Sequence, residues 1–223
     1  MERAKEEGLI GSIGLSTHAP LEVQLQAVNT DRFDFINLHY YYFKQETAAV
    51  VAAARARDMG VFIISPNDKG GYLYQPNDSL KRLTAPLHPA VFNERWILSQ
   101  PGVHTMTLGP SEPHHWDLHL SALEQGKPYW GKTEQEIHSR FVAASIGSEL
   151  DRCGPCTQCL PCPEKINIPD GFRFFHRVQA YGMQNFGNYR YNMMEPDSRS
   201  QEHTSELQSH SDPVCRLLLE NEE

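Results

Sequence analysis

Short apolar runs alternate with longer stretches of helical composition from the beginning of the chain to about residue 124. The apolar residues within each run are nearly continuous, which is typical of parallel strands that are covered on both faces. The pattern predicts strands at 10–15, 33–39, 60–65 and 103–108. It predicts helices at 20–28, 45–58, 90–100 and 113–124.

This repeated strand–helix order predicts an α/β fold with a parallel sheet. A doubly wound sheet would carry a glycine-rich phosphate loop directly after its first strand, whereas Gly11 and Gly14 lie before and within that strand. A barrel fits the order better, although only four of its eight units are present. The predicted fold class is therefore a partial (β/α)₈ TIM barrel.

The pattern changes beyond Pro128, where the remaining chain is predicted to form a small helical extension. Thr133 and Glu136 have the spacing of a capping box, which predicts a helix from 133 to about 150. A second helix is predicted at 170–181, and its phenylalanines are interpreted as core residues or as a shield for a bound group. The predicted domains are 1–128, 129–197 and a disordered tail at 198–223.

The net charge excludes one class of partner. The formal charge is −8 and the basic residues are scattered, so a nucleic acid is not expected as a ligand. No apolar stretch has the length of a membrane span or the form of a signal peptide. We therefore expect a cytoplasmic protein whose thiols stay reduced, and no membrane partner.

Four of the five cysteines occur within ten residues at a strict spacing of three: Cys153, Cys156, Cys159 and Cys162. Zinc usually takes two pairs of ligands that are separated by a dozen or more residues, and a single short run suits it poorly. An iron–sulfur cluster is larger, so successive cysteines can reach successive irons. The run predicts a 4Fe-4S cluster, and zinc, a redox dithiol and a disulfide remain as alternatives.

The end of the cysteine run leaves a second question open. Cys162 is followed by Pro163, as in the bacterial ferredoxin signature. However, two residues separate Cys159 from Cys162, where the ferredoxin run has three. Cys162 could therefore bind the same cluster as the other three cysteines or a second one.

Residues of about 2–125 resemble the second half of an aldo/keto reductase. Residues of about 130–196 resemble the iron–sulfur extension that one branch of this family carries. The matching motifs in the first part are Lys5–Gly8, Ile13–His18, Val61–Pro66, Gly70–Gly71, Leu98–Val103 and Gly109–Pro113. In the second part they are the cysteine run and Ile166–Pro169.

This resemblance implies hydride transfer between a nicotinamide nucleotide, NAD(P), and a small carbonyl substrate at the C-terminal mouth of the barrel. Ser16, Thr17 and Asn37 match residues that hold the nicotinamide carboxamide, and Ser65 lies in the next matching segment of the same site. Gly109 and Ser111 belong to the loop that holds the adenine-side phosphate. His115 stands where family members often place an Arg against the 2′-phosphate, and Leu118 and His119 replace an adenine-contacting Glu-Asn pair.

The resemblance assigns no catalytic residue to this chain. The Asp, Tyr, Lys and His of the family lie on its first four strands, and no residue here matches them, so the chain is expected to be inactive alone. The alternative function is a non-catalytic iron–sulfur module for electron transfer or binding. The segments Arg199–Ser209 and Val214–Glu220 resemble translated sequencing adapter, which would make the tail an artefact and Cys215 incidental.

Overall fold

Four short parallel strands form one sheet in the computed structural model, which describes residues 1–67, 71–123, 128–145, 162–163, 165–181, 184–195 and 198–199. The strands are β1 (Gly14–Ser16), β2 (Phe35–Leu38), β3 (Gly60–Ile64) and β4 (Thr105–Thr107). Their order in the sheet is the order in the chain, and each neighbouring pair is parallel. The prediction of an α/β fold with a parallel sheet is therefore confirmed.

Helices precede, separate and follow the strands. Those up to the third strand are α1 (Glu2–Glu6), α2 (Leu21–Val28) and α3 (Ala48–Arg55). The later ones are α4 (Asp78–Thr84), α5 (Pro89–Ser99), α6 (Pro113–Ala122), α7 (Lys132–Ser145), α8 (Ile168–Tyr181) and α9 (Gln184–Asn192). In the described part of the chain, no helix combines the length and the apolar character that crossing a membrane requires.

Only one face of the sheet is fully buried. Ile36, Leu38, Val61 and Ile63 are almost completely inaccessible, whereas their neighbours along β2 and β3 are half-buried. The prediction that both faces are covered is wrong for this structure. Crossovers between parallel strands share one hand, so strands in sequential order gather their helices on the same face.

We call the other side of the sheet the open face. Ser16, Asn37, Phe62 and Thr105 lie there in register, one from each strand. Ser16 and Thr105 are exposed, and Asn37 and Phe62 are half-buried. This face therefore presents polar and aromatic side chains together.

Helix α5 ties two strand ends to the core through a buried polar side chain. The side chain of Asn93 accepts a hydrogen bond from the Tyr42 amide at 2.9 Å and donates one to the Pro66 carbonyl at 2.7 Å. Tyr42 lies beyond β2 and Pro66 lies just beyond β3. Asn93 thus holds together two loops that leave the same edge of the sheet.

The hydrogen bonding at the beginning of α7 differs from the predicted capping box. Glu134, rather than Glu136, reaches back, and its Oε2 accepts the Gly131 amide proton at 2.8 Å. The helix therefore begins at Lys132 instead of 133. Glu134 also forms a buried ion pair with Arg95 of α5, with 3.0 Å between Nη1 and Oε1.

The chain divides into two compact units, 1–76 with 84–137, and 77–83 with 138–223. In the second unit α8 packs against α9, and Gly187 lies so close to Val178 that it has no room for a side chain. Phe174 and Phe175 are buried and Phe172 is half-buried, which fits both interpretations of these residues, as core and as a shield. The predicted domain boundaries near 128 and 197 remain predictions.

Several described elements have no counterpart among the predicted strands and helices, and α4 and α9 are the longest of them. Helix α4 lies in the connection 67–89, whose sequence is long and rich in turn-forming residues, and α9 follows the predicted helix at 170–181. The amide of Leu80 donates to Asn77 Oδ1 at 2.8 Å, so Asn77 caps the beginning of α4. Closer to the C-terminus, the backbone carbonyl of Ser198 accepts a hydrogen bond from the Asn167 amide at 2.9 Å.

Candidate functional site

The residues expected to hold the carboxamide lie at the C-terminal ends of β1 and β2. Ser16 is the last residue of β1 and is paired in register with Asn37. The amide of Thr17 donates to the Asn37 carbonyl at 3.4 Å, and the Thr17 hydroxyl accepts the Ala19 amide proton at 3.0 Å. Ser16 and Asn37 therefore present polar side chains on the open face, whereas the hydroxyl oxygen of Thr17 already stabilises a local turn.

Ser65 directly follows β3 and has an unusual backbone conformation. Its φ is +50°, a left-handed value that few residues other than glycine adopt. The next two residues, Pro66 and Asn67, are buried and are held by α5. The strained residue thus marks the point where the chain turns out of the sheet.

The loop beyond β4 leads into α6. Gly109 is exposed, and a side chain there would meet no atom within 4 Å. Glu112 precedes α6, yet its side chain forms no hydrogen bond to the helix N-terminus. Pro113, the first residue of α6, has no amide proton, and the His115 amide donates to the Glu112 carbonyl at 3.0 Å. This helix end therefore suits an anion mainly through the positive end of its dipole.

His115 lies in the first turn of α6, and its ring contacts the loop that precedes the helix. Its Nδ1 accepts the Ser111 amide proton at 3.2 Å, and Ser111 Oγ lies 3.5 Å from the same nitrogen. Because Nδ1 accepts a hydrogen bond, the neutral ring carries its proton on Nε2. Ser111 and His115, both predicted cofactor residues, are therefore in contact.

The His115 ring is buried beneath Tyr74. The two rings are stacked with centroids 3.8 Å apart and an interplanar angle of 3°, and His115 is only 6% exposed. Tyr74 belongs to the short 3₁₀ helix at 72–74 in the connection after β3. The loops that follow β3 and β4 therefore meet through these two rings.

The hydroxyl of Tyr74 leads into a buried polar network. It lies 2.8 Å from Nε2 of His119, and Nδ1 of His119 lies 2.8 Å from Glu94 Oε1. The Asn67 amide group donates to the same Glu94 oxygen at 3.0 Å. The other three residues of this network, His119, Glu94 and Asn67, are less than 5% exposed.

The interior position of Glu94 changes its titration. Burial raises the pKa of its carboxyl group, and the hydrogen bonds from Asn67 and His119 oppose that increase without cancelling it. Burial also raises the pKa of the Tyr74 hydroxyl, and the nearby Glu94 charge acts in the same direction. Oε2 of Glu94 and Oδ1 of Asn67 have no hydrogen-bond partner, so the network is short of donors.

His119 is held away from any ligand. The resemblance aligns it with an Asn that contacts adenine, but its ring is 2% exposed and both ring nitrogens have partners within the network. Sequence analysis missed Tyr74, Glu94 and Asn67 altogether. The available signal was the polar pair Asn93 and Glu94 in the middle of a mostly apolar helix.

Five of the seven predicted cofactor residues form two groups. One comprises Ser16, Thr17 and Asn37 on β1 and β2, and the other comprises Ser111 and His115 after β4. Strands β1 and β4 are three positions apart in the sheet, about 14 Å at the usual strand spacing. Only an elongated ligand could contact both groups.

The predicted cluster ligands fall mainly outside the described residues, which include Cys162 but not Cys153, Cys156 or Cys159. Cys162 is half-buried and forms no disulfide. Its carbonyl accepts the Lys165 amide proton at 2.9 Å. Among the residues that the structure describes, no three His, Cys, Asp or Glu side chains are grouped to hold a metal.

Comparison with protein-family models, with curated proteins and with solved structures gives no match for this chain.

Proposed function

We propose that this chain is the nucleotide-binding part of an NAD(P)-dependent oxidoreductase of the aldo/keto reductase type, and that it also carries a 4Fe-4S cluster. The observation that carries the proposal is the common position of the predicted cofactor residues. Ser16, Asn37, Ser65 and the loop 109–112 all lie at or beyond the C-terminal ends of adjacent parallel strands. Ligands of parallel α/β proteins bind at this edge.

The strand order supports a barrel over a doubly wound sheet. In a doubly wound sheet the order reverses at a switch point, and helices cover both faces. Here the order is sequential and one face is open, as in an arc of a barrel whose interior lies on that side. Further βα units would complete such a barrel.

The nucleotide would extend along this edge. Ser16 and Asn37 would bind the carboxamide, because a hydroxyl and an amide side chain offer both donors and acceptors. The loop 109–112 and the N-terminus of α6 would bind the phosphate nearest the adenine, with His115 beside it. When bound, the nucleotide supplies the hydride; we assign the proton-transfer step to no residue of this chain.

The cysteine run fits the cluster by its donor chemistry. Four thiolates are the usual ligands of a 4Fe-4S centre, and the one cysteine of the run in the described residues, Cys162, is not consumed by a disulfide. Cys153, Cys156, Cys159 and Cys162 would hold it. The cluster would supply one-electron chemistry to the protein.

Two measurements on the full chain test the two parts separately. For the nucleotide, NADP⁺ and NAD⁺ are titrated calorimetrically into the wild-type protein and into Asn37→Leu, which removes the amide but keeps a similar volume. We expect the nucleotides to bind more weakly to Asn37→Leu than to the wild-type protein. Wild-type protein that binds neither nucleotide would overturn this part of the proposal.

For the cluster, protein expressed and purified without oxygen is analysed for iron, acid-labile sulfide and zinc. We expect four irons and four sulfides per chain and visible absorption that bleaches on reduction. Cys156→Ser should lose the absorption, and Cys215→Ser, outside the run, should keep it. Colourless protein with one zinc per chain would contradict the cluster, whereas a cluster without nucleotide binding would favour the non-catalytic module.

A further inference from the structure

A continuous series of contacts joins buried Glu94 to the loop beyond β4. Glu94 contacts His119, His119 contacts the Tyr74 hydroxyl, the Tyr74 ring stacks on His115, and His115 accepts the Ser111 amide proton. The series crosses from α5 to α6, then to the connection after β3, and returns to α6 and the loop before it. Glu94, His119 and Tyr74, the residues before His115 in this series, have no role in the proposed nucleotide site.

The geometry at Tyr74 limits how His115 can move. A hydrogen bond to the Tyr74 hydroxyl holds the outer end of the side chain in place. Because a phenol O–H prefers to lie in the plane of its ring, the direction of that bond also favours one ring plane. Since the two rings are parallel within 3°, the plane of Tyr74 sets the plane of His115. That plane in turn keeps Nδ1 directed at the Ser111 amide.

The buried pair behind Tyr74 fixes the direction of this hydrogen bond. When Glu94 is ionised its Oε1 only accepts, so the proton of neutral His119 lies on Nδ1 and its Nε2 accepts from the Tyr74 hydroxyl. His119 and Glu94 are 2% and 0% exposed, so water does not compete for these bonds. While Glu94 is ionised, the pair therefore accepts the hydroxyl proton of Tyr74.

We infer that Tyr74 is a positioning residue for the anion-binding loop 109–112, and that His119 and Glu94 act through it. Tyr74 keeps the His115 ring in the plane where Nδ1 holds the loop and Nε2–H is left for a phosphate. The inference rests on the proposed function for the identity of the ligand. It adds that discrimination between nucleotides with and without a 2′-phosphate depends on a hydroxyl that does not itself touch the nucleotide.

The central variant is Tyr74→Phe, which keeps the ring and removes the hydroxyl. Its matched control is Tyr40→Phe, because the Tyr40 hydroxyl also bonds to a side chain of the same unit, Gln100, at 3.3 Å. NADP⁺ and NAD⁺ are titrated into the full chain and both variants. We expect the affinity for NADP⁺ to fall by up to about tenfold in Tyr74→Phe, with NAD⁺ affinity nearly unchanged.

A second measurement reports the ring itself. In the ¹⁵N spectrum of the free wild-type protein, His115 should show a protonated Nε2 and an unprotonated, hydrogen-bonded Nδ1, with His115→Asn used to assign the signal. Tyr74→Phe should shift these resonances towards a mixture of tautomers, and Tyr40→Phe should not. His119→Leu removes the same bond from its other end and should reproduce the Tyr74→Phe result if that variant folds poorly.

The outcomes separate the two proposals. Wild-type affinities and unchanged His115 resonances in Tyr74→Phe would overturn the inference while leaving the proposed function intact. If wild-type protein binds neither nucleotide, the proposed function fails, and the His115 resonances alone decide the positioning role of Tyr74. An equal loss for NADP⁺ and NAD⁺ with unchanged resonances would indicate a structural role only and would also overturn the inference.

Discussion

The ring of Phe35 lies directly over Gly14, in the space that a Cβ atom on Gly14 would occupy. The two residues are paired in register on β1 and β2. Phe35 also stacks on Phe62 of β3, with ring centroids 5.2 Å apart. An aromatic pair therefore covers this end of the open face, and β1 can contribute only a glycine beneath it.

Gly14→Ala should destabilise the protein because the new methyl group must displace the Phe35 ring. We expect the free energy of unfolding to fall by about 1–3 kcal/mol, measured by urea titration. Adding Phe35→Leu to Gly14→Ala should recover part of this loss. Gly11→Ala is the control, since a Cβ there meets no atom within 4 Å; equal effects of the two single substitutions would contradict the prediction.

Asn93→Ala should loosen the loops that follow β2 and β3. The substitution leaves the Tyr42 amide and the buried Pro66 carbonyl without their partner, and each unmet group costs about 1–3 kcal/mol. We expect a loss of about 2–4 kcal/mol in urea unfolding and faster amide exchange at Tyr42. Gln45→Ala serves as control because its exposed side chain also bonds to Tyr42. A similar loss in both variants would refute the special role of Asn93.

Glu134→Gln should show the cost of an unpaired buried charge. Arg95 and Glu134 have side chains that are 8% and 3% exposed, and the substitution keeps the volume while it removes the negative charge. We expect a loss of about 3 kcal/mol in thermal or urea unfolding. Arg95→Met combined with Glu134→Gln should recover part of it, because neither charge then remains.

The control for this prediction lies on the same helix. Glu136 forms an exposed pair with Lys132 at 3.7 Å, so Glu136→Gln should change stability by less than about 0.5 kcal/mol. A loss in Glu134→Gln as small as that in Glu136→Gln would show that burial does not strengthen the Arg95 pair.

The strands could be predicted because their signal is local: apolar runs such as 60–65 are bounded by Gly60 and Pro66. The open face could not be predicted from those runs, since it depends on the side to which every crossover returns. Phe62 and Ile64 look as apolar as Val61 and Ile63, yet only the latter two are fully buried. The apolar character of these residues therefore does not reveal which face of the sheet is buried and which is open.

The candidate site also has one part that the local sequence pattern predicts and another part that it does not. The position of Ser16 and Asn37 at strand ends follows from the local pattern and is confirmed. The network around Glu94 could not be predicted, because Asn67, Tyr74 and His119 reach it from three separate segments. A sequence pattern identifies the helix that carries Glu94 but not the loops that fold over it.

The raised pKa of Glu94 gives stability a definite pH dependence. Burial is its main cause, so the folded protein holds this proton at a pH where the unfolded chain has released it. Between the unfolded-state and folded-state pKa values the folded state therefore binds more protons. The free energy of unfolding falls as pH rises through that interval and becomes constant, for this group, above it.

Glu94→Gln should remove this dependence, because a neutral amide of nearly the same shape has no proton to release. We expect the variant to lose less stability than the wild type as pH rises above the usual pKa range of a glutamate, measured by urea unfolding at a series of pH values. Glu22→Gln, which changes an exposed carboxyl group on α2, should keep the wild-type slope. The prediction fails if Glu94→Gln retains that slope too, since the buried carboxyl group would then not be its source.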